Sequence, residues 1–184
     1  MRSSWVGDTQ IKLILSAMMP ENRLAIEVSE ATGLRIDDVL SIKTEVIRTT
    51  QRPTVTDSKT GKRHRVYIPR KLWLRMLQQA GKVWVWPGRL EPLQRHRTRQ
   101  AVYKDMVQAA AIFRRNGALP QEAHVSPHTA RKRAAVAAYQ DGGLDAARQL
   151  LQHSERDVGV TLLYALANNE APPKVRRRRK KGRA

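Results

Sequence analysis

Apolar and polar positions along the chain fall into blocks of two different periods. "NRLAIEVSEATGL" places Leu24, Ala25, Ile26, Val28, Ala31 and Leu34 on a broad helical face, and Gly33 closes that helix. "RIDDVLSIKTEVI" predicts a short second helix with Ile36, Val39, Leu40 and Ile42 inward. From Thr49 to Pro69 the period drops to two. "TVTDSKTGKRHRVYIP" alternates, is rich in Thr and Val, and has Lys59-Thr60-Gly61-Lys62 at its centre, which predicts a β-hairpin with a Gly-containing turn. "PRKLWLRMLQQAG" returns to helical spacing through Leu72, Leu74, Met76 and Leu77, with Gly81 as the stop. "VWVWPG" reads as a short strand or extended segment.

Residues 89–96 form a polar, basic loop. A further helix is predicted from about Arg97 to Asn116, with Ala101, Val102, Met106, Ala109, Ala110 and Phe113 available for burial. Pro127 suits the first turn of the next helix and Ser126 its N-cap; that helix stops at Gly142-Gly143. "LDAARQLLQHS" and "VGVTLLYALANN" predict two final helices, and Pro172-Pro173 ends the ordered part. No internal repeat is present. The expected architecture is α+β and mainly helical, with a small antiparallel sheet. It forms one domain over residues 1–170, followed by a disordered basic tail over residues 171–184.

Composition sharpens this picture. A chain of 184 residues suits one domain, and an apolar fraction of 41 % suffices for one aliphatic core, since aromatic residues are only 5 %. Cysteine is absent, which excludes disulfides and thiolate metal sites and makes an intracellular protein the expectation. No apolar run approaches the roughly 18–20 residues that span a bilayer. The N-terminal stretch "MRSSWVGDTQIKLILSAMMPENR" is too short and interrupted in its apolar part for a signal peptide.

Charge is the loudest global feature, with 35 basic against 16 acidic residues and a net of +19. The tail from Pro172 holds eight of the basic residues, including Arg176, Arg177, Arg178 and Arg179. The body without it is still strongly basic. A polyanion partner follows, with nucleic acid ahead of an acidic membrane.

Several chemistries find little support. Asp37 and Asp38 are adjacent, so they diverge on a helix and read as N-terminal helix charges rather than an acid–base pair. His124 and His128 have ligand spacing, but Pro127 intervenes and neither cysteine nor an acidic cluster supports a metal. No Gly-rich phosphate loop is present. What remains is a scattered set: Arg35, Lys59, His128, Arg131, His153 and Tyr164. Each alone has an ordinary reading, as a helix-start arginine, a turn lysine, surface residues of a basic helix, a capping histidine and a core tyrosine.

The order of the set changes those readings. Arg, Lys, His-x-x-Arg, His and Tyr, carried by "TGLRIDDVLSIK", "SKTGKRHRVYIP", "SPHTARKRAAVAAYQDGG" and "LLQHSERDVGVTLLYAL", resembles the catalytic domain of the tyrosine recombinases, the phage-integrase family. The resemblance implies that Arg35 and Arg131 clamp a phosphate, Lys59 donates a proton, His128 is an acid/base, His153 hydrogen-bonds the phosphate and Tyr164 is the nucleophile. It places Asp38 as a support behind the site. It further implies site-specific breaking and rejoining of double-stranded DNA through a 3′-phosphotyrosyl link, by a phage or mobile-element protein without cofactor or metal. The active form would be a homo-tetramer on synapsed DNA in the host cytoplasm, associated with the nucleoid.

This assignment is chemically coherent. Two guanidiniums stay charged at any working pH and can hold non-bridging oxygens bidentately. A tyrosine hydroxyl, with an ordinary pKa of about 10, needs a cationic site and a proton acceptor to attack.

Arg97, Arg99, Lys132, Arg133 and the arginines 176–179 are expected to contact the DNA backbone. The chain departs from the family at Ala130 and Lys132 within the histidine–arginine box, at Gln152 where glycine is usual, and in the longer interval from His153 to Tyr164. The first motif stands at Arg35, which leaves no separate N-terminal DNA-clamping domain; an accessory DNA-binding protein would then assist. The contrasting expectation is a non-catalytic DNA-binding or regulatory protein on the same fold.

Overall fold

The computed structural model describes residue 4 and residues 6–151. The first element is a helix, α1 (Asp8–Ser16), which buries Ile11, Ile14 and Leu15. Its apolar residues form the inward face of a short amphipathic helix. The Gly7 amide donates to Gln10 Oε1 at 3.1 Å and ties the first turn.

Next comes α2 (Pro20–Thr32), with proline in its first turn. Leu24, Ala25, Ile26 and Val28 are all buried, so the helix is enclosed on most of its circumference. Its buried polar residues are satisfied locally or by neighbours: Ser29 Oγ donates to the Leu34 carbonyl at 2.7 Å and Thr32 Oγ1 to the Val28 carbonyl at 2.7 Å. Gly33 closes the helix in the left-handed region at φ 71°, a conformation that glycine adopts without the steric cost of a Cβ.

The single helix expected over "RIDDVLSIKTEVI" is two, α3 (Ile36–Leu40) and α4 (Thr44–Thr49). The cause is a long-range pairing. Lys43 bridges Trp84 in antiparallel fashion, the Thr44 amide donates to the Val83 carbonyl at 3.0 Å, and the Val85 amide donates to the Ile42 carbonyl at 3.1 Å. Residues 42–44 thus take hydrogen bonds from outside, and the helix breaks there. "VWVWPG" is the extended partner.

The hairpin forms as expected. β1 (Thr54–Thr56) and β2 (Arg63–Arg65) pair antiparallel in the register Thr54↔Arg65, Val55↔His64, Thr56↔Arg63, with Gly61 at positive φ in the turn. Val55, Val66 and Ile68 anchor it to the core. α5 (Arg70–Gln79) buries Met76. α6 (Arg99–Arg115) begins two residues later than the periodicity suggests, because Thr98 is its N-cap and accepts the Ala101 amide at 3.3 Å. α7 (Pro127–Leu151) starts at Pro127 and bends at Gly143, where φ 76° and ψ −164° leave helical space. The expected break at Gly142-Gly143 is present: the two helical stretches predicted on either side of it meet at a kink where Gly143 leaves helical space.

α2 packs against α3, α5 and α7, and α6 against α1, α3 and α7. Trp86 is fully buried, and its indole N–H donates to the Glu21 carbonyl at 2.9 Å. The architecture is the expected one, mostly helical with a two-stranded antiparallel sheet. No helix among the described residues is long and apolar enough to cross a membrane.

The tightest junction lies at Gly33. A Cβ there would sit 2.8 Å from Leu150 Cγ and 2.9 Å from the Leu150 carbonyl oxygen. Gly33→Ala is expected to destabilise the protein by about 2–4 kcal/mol, through left-handed strain and overpacking together. Thermal and denaturant unfolding measure it, and a loss below about 0.5 kcal/mol would contradict this packing.

Candidate active site

Two turns of chain build the site. The left-handed Gly33 delivers Arg35 to the N-cap of α3, in extended conformation. His128 and Arg131 come from the first turns of α7, three positions apart, which places them on one helix face. Arg35, His128 and Arg131 line one cleft of about 420 Å³, together with Asp37, Arg99, Gln100 and Tyr103. Of the six residues that the family resemblance singles out, four are among the described residues, and three of these, Arg35, His128 and Arg131, line the cleft.

Arg131 is almost wholly enclosed, with 4 % exposure. Its Nη1 donates to the Gly33 carbonyl at 2.5 Å and its Nη2 to the Leu151 carbonyl at 2.6 Å. One guanidinium therefore fastens the turn before Arg35 to the chain that leads to His153. His128 is exposed at the mouth of the cleft.

Lys59 does not line this cleft. It sits exposed at the hairpin tip, as does Lys62. The turn's backbone, however, is anchored by two buried carboxylates. Asp38, 1 % exposed, accepts the Ser58 amide on Oδ1 at 2.9 Å; its Oδ2 is buried without a hydrogen bond. Asp57 Oδ1 accepts the amides of Lys59 and Thr60 at 2.9 and 2.8 Å, while Asp57 Oδ2 pairs with Arg35 Nη1. Burial pushes the Asp57 carboxyl up. The Thr60 amide, the Arg35 guanidinium and the Lys59 amide outweigh it and hold the group below its ordinary value.

The basic residues divide by role. Arg99 stands at the rim of the cleft, largely exposed, 3.8 Å from Asp37. Arg97 instead donates to Asn22 Oδ1 at 3.0 Å and braces α2. Lys132 is half-buried. Arg133, expected as a backbone-contacting charge, is an internal strut. It donates to Glu30 at 2.8 Å, to the Val6 carbonyl at 2.7 Å and to Asp8 at 2.5 Å. Two residues along a helix turn a side chain by about 200°, so Arg133 leaves the cleft face that Arg131 occupies. Its hydrogen bond and charge hold the Asp8 carboxyl below its ordinary value. His153, Tyr164 and the arginines 176–179 lie outside the described residues.

Asp57, Gln100 and Tyr103 were not legible as site residues beforehand. The signal for Asp57 was present: an aspartate two residues ahead of a turn lysine, in "DSKTG", is a side-chain-capped turn. Nothing local marked Tyr103, which reaches the cleft only through the packing of α6 on α3.

Two outcomes follow from these contacts. Arg133→Ala should cost about 1–3 kcal/mol of stability, read by thermal unfolding, because it strands hydrogen-bonded partners. Asp57, depressed in the folded state from 3.8, stabilises fully above that value, and its contribution disappears as pH falls through the folded pKa. Asp57→Asn should flatten that acid limb below pH about 4 in denaturation measured against pH, leaving the Asp8 part in place.

Comparison with known proteins fits this geometry. No curated protein matches the chain in sequence. Among solved structures, a lambda integrase dimer bound to a COC′ core site superposes with a TM-score of 0.72 at 21 % identity, covering 95 % of this chain and 63 % of that one. A lambda integrase tetramer bound to a Holliday junction gives 0.69 at 20 % identity, over 88 % of this chain and 48 % of that one. The catalytic domain of bacteriophage HP1 integrase gives 0.60 at 19 % identity, over 90 % of this chain and 89 % of that domain. The chain thus spans about half to just under two thirds of the two lambda integrase chains. These likenesses establish the fold, and a profile of the phage integrase family matches residues 4–171; the chain belongs to the phage integrase family.

Proposed function

We propose that this chain is a site-specific tyrosine recombinase, phage or mobile-element encoded, that breaks and rejoins double-stranded DNA. The observation that carries the reading is the shared cleft of Arg35, His128 and Arg131 in a member of the phage integrase family. A phosphodiester seated there would meet two guanidiniums, fixed cations that stabilise charge developing on its non-bridging oxygens.

In this reading Tyr164 Oη attacks the scissile phosphorus and gives its proton to His128. The bond from phosphorus to the 5′ oxygen breaks, and Lys59 protonates that oxygen. A 3′-phosphotyrosyl link and a free 5′-hydroxyl result. Attack by another 5′-hydroxyl reverses each proton transfer and releases Tyr164, so the phosphodiester energy is kept. His153 would hydrogen-bond the phosphate, and Asp38 would support the site through the hairpin turn. The exposed Lys59 reaches the phosphate on its four-carbon stem, from a turn already tied to Arg35.

Arg99, Lys132 and the arginines 176–179 supply the phosphate-tracking charge, and Arg97 and Arg133 act chiefly through the fold. The dimeric and tetrameric DNA complexes of lambda integrase support assembly as a homo-tetramer on synapsed DNA. Such an enzyme works in the host cytoplasm on the nucleoid, with an accessory DNA-binding protein assisting.

A pool of nicked duplexes, resolved under denaturing conditions, tests the reading. Wild type should yield a covalent protein–DNA adduct that Tyr164→Phe abolishes. Arg35→Ala should lower its rate by about 10²–10³-fold, and His128→Ala by about 10²–10⁴-fold. Duplexes bound selectively but never captured covalently would favour a non-catalytic DNA-binding protein, a reading that the long interval from His153 to Tyr164 motivates. Binding should also be steeply salt-dependent, and Arg99→Ala should weaken it without moving stability by more than about 0.5 kcal/mol.

A further inference from the structure

We propose that Asp57 is a positioning residue whose single carboxylate sets the phosphate-binding arginine and the proton-donating lysine relative to one another. The inference rests on the roles given above to Arg35 and Lys59. Its basis is geometric. One oxygen of Asp57 grips Arg35, and the other carries the amides of Lys59 and Thr60.

The surroundings make this link stiff. Asp57 is buried. Its own amide donates to the Lys62 carbonyl at 2.9 Å, and its carbonyl accepts the Gly61 amide at 2.8 Å, so both main-chain groups close the turn. Asp38 holds the adjacent Ser58 amide from α3, the helix that Arg35 caps. The hairpin tip is therefore docked on the first turn of α3 through two carboxylates, and only Asp57 also touches the guanidinium. A guanidinium has five N–H donors in a planar fork. One nitrogen held by Asp57 orients the plane and leaves other donors for a phosphate. Any displacement of Arg35 toward a bound phosphate pulls on the same carboxylate that fixes the Lys59 backbone.

The two functions of the carboxylate separate chemically. Asparagine at this position keeps an acceptor oxygen for the turn amides but turns an N–H₂ toward Arg35, donor against donor. Alanine removes both interactions. A sulfur leaving group gives a second separation, because a thiolate departs without a proton donor. A defect in Lys59 delivery is relieved when the scissile 5′ oxygen is replaced by sulfur, and a defect in the arginine clamp is not.

The experiment uses the full chain. Amide and arginine Nε signals are recorded by NMR, with the Val55–His64 strand pairing as the check that each variant folds. Asp57→Asn should move the Arg35 Nε signal and spare the Lys59 and Thr60 amides. Asp57→Ala should move all three. Adduct formation is then timed at saturating nicked duplex, with oxygen and with sulfur at the leaving position. Both variants should slow the oxygen substrate by about 10²-fold, with the bound fraction unchanged. Sulfur should rescue Asp57→Ala partly and Asp57→Asn not at all.

Unchanged Arg35 and Lys59 signals in Asp57→Ala would overturn the proposal, as would identical responses of the two variants to sulfur. If wild type captures no duplex, the recombinase reading falls instead, and the NMR signals alone decide the link through Asp57.

Discussion

The buried guanidinium of Arg131 is the interaction on which the site depends. It joins the carbonyls of Gly33 and Leu151, which are far apart in sequence, and so holds the turn before Arg35 against α7 at Leu151. A buried cation is tolerable only when its donors are satisfied and charge is compensated nearby. Here two main-chain carbonyls take part of that load, and that of Gly33 stands at the C-terminal end of α2, where the helix dipole is negative. Gly33 has to be glycine for the same reason. Its left-handed turn brings Leu150 within reach, and any Cβ would occupy the space that closeness requires.

The rest of the cleft is arranged by carboxylates more than by cations. Asp57 and Asp38 hold the hairpin tip on α3, and Asp37 stands beside Arg99 at the rim. In a chain this basic, an unopposed cluster of arginines would repel itself. Pairing each cleft arginine with a carboxylate or with carbonyls lets them share a small volume while keeping donors available for an anion. The same balancing of charge appears on a second face of α7, where Arg133 is absorbed by Glu30, Asp8 and the Val6 carbonyl. Net charge therefore overstates how many arginines face a partner.

The chain's own order made much of this visible. The period-two block from Thr49 to Pro69, with its Gly-containing turn, specified the hairpin, and the broad apolar face of "NRLAIEVSEATGL" specified α2. The spacing of His128 and Arg131 behind Pro127 placed them on one helix face, and the order of Arg35, Lys59, His128, Arg131, His153 and Tyr164 pointed to the family. These signals are local in period or carried in sequence order, so they survive without a partner surface.

Other features were decided only in three dimensions. The break between α3 and α4 follows from hydrogen bonds to Val83 and Val85, some forty residues on. The opposite fates of Arg131 and Arg133 follow from the helix face each occupies: one meets the carbonyls of Gly33 and Leu151, the other Glu30, Asp8 and the Val6 carbonyl. Asp57 became part of the site because the hairpin tip meets the start of α3 and so touches Arg35, a neighbour that no local pattern announces. Periodicity fixes which side of an element is buried. It does not say which other element lies there, because that is settled by the simultaneous packing of all of them and by the need to satisfy every buried polar group.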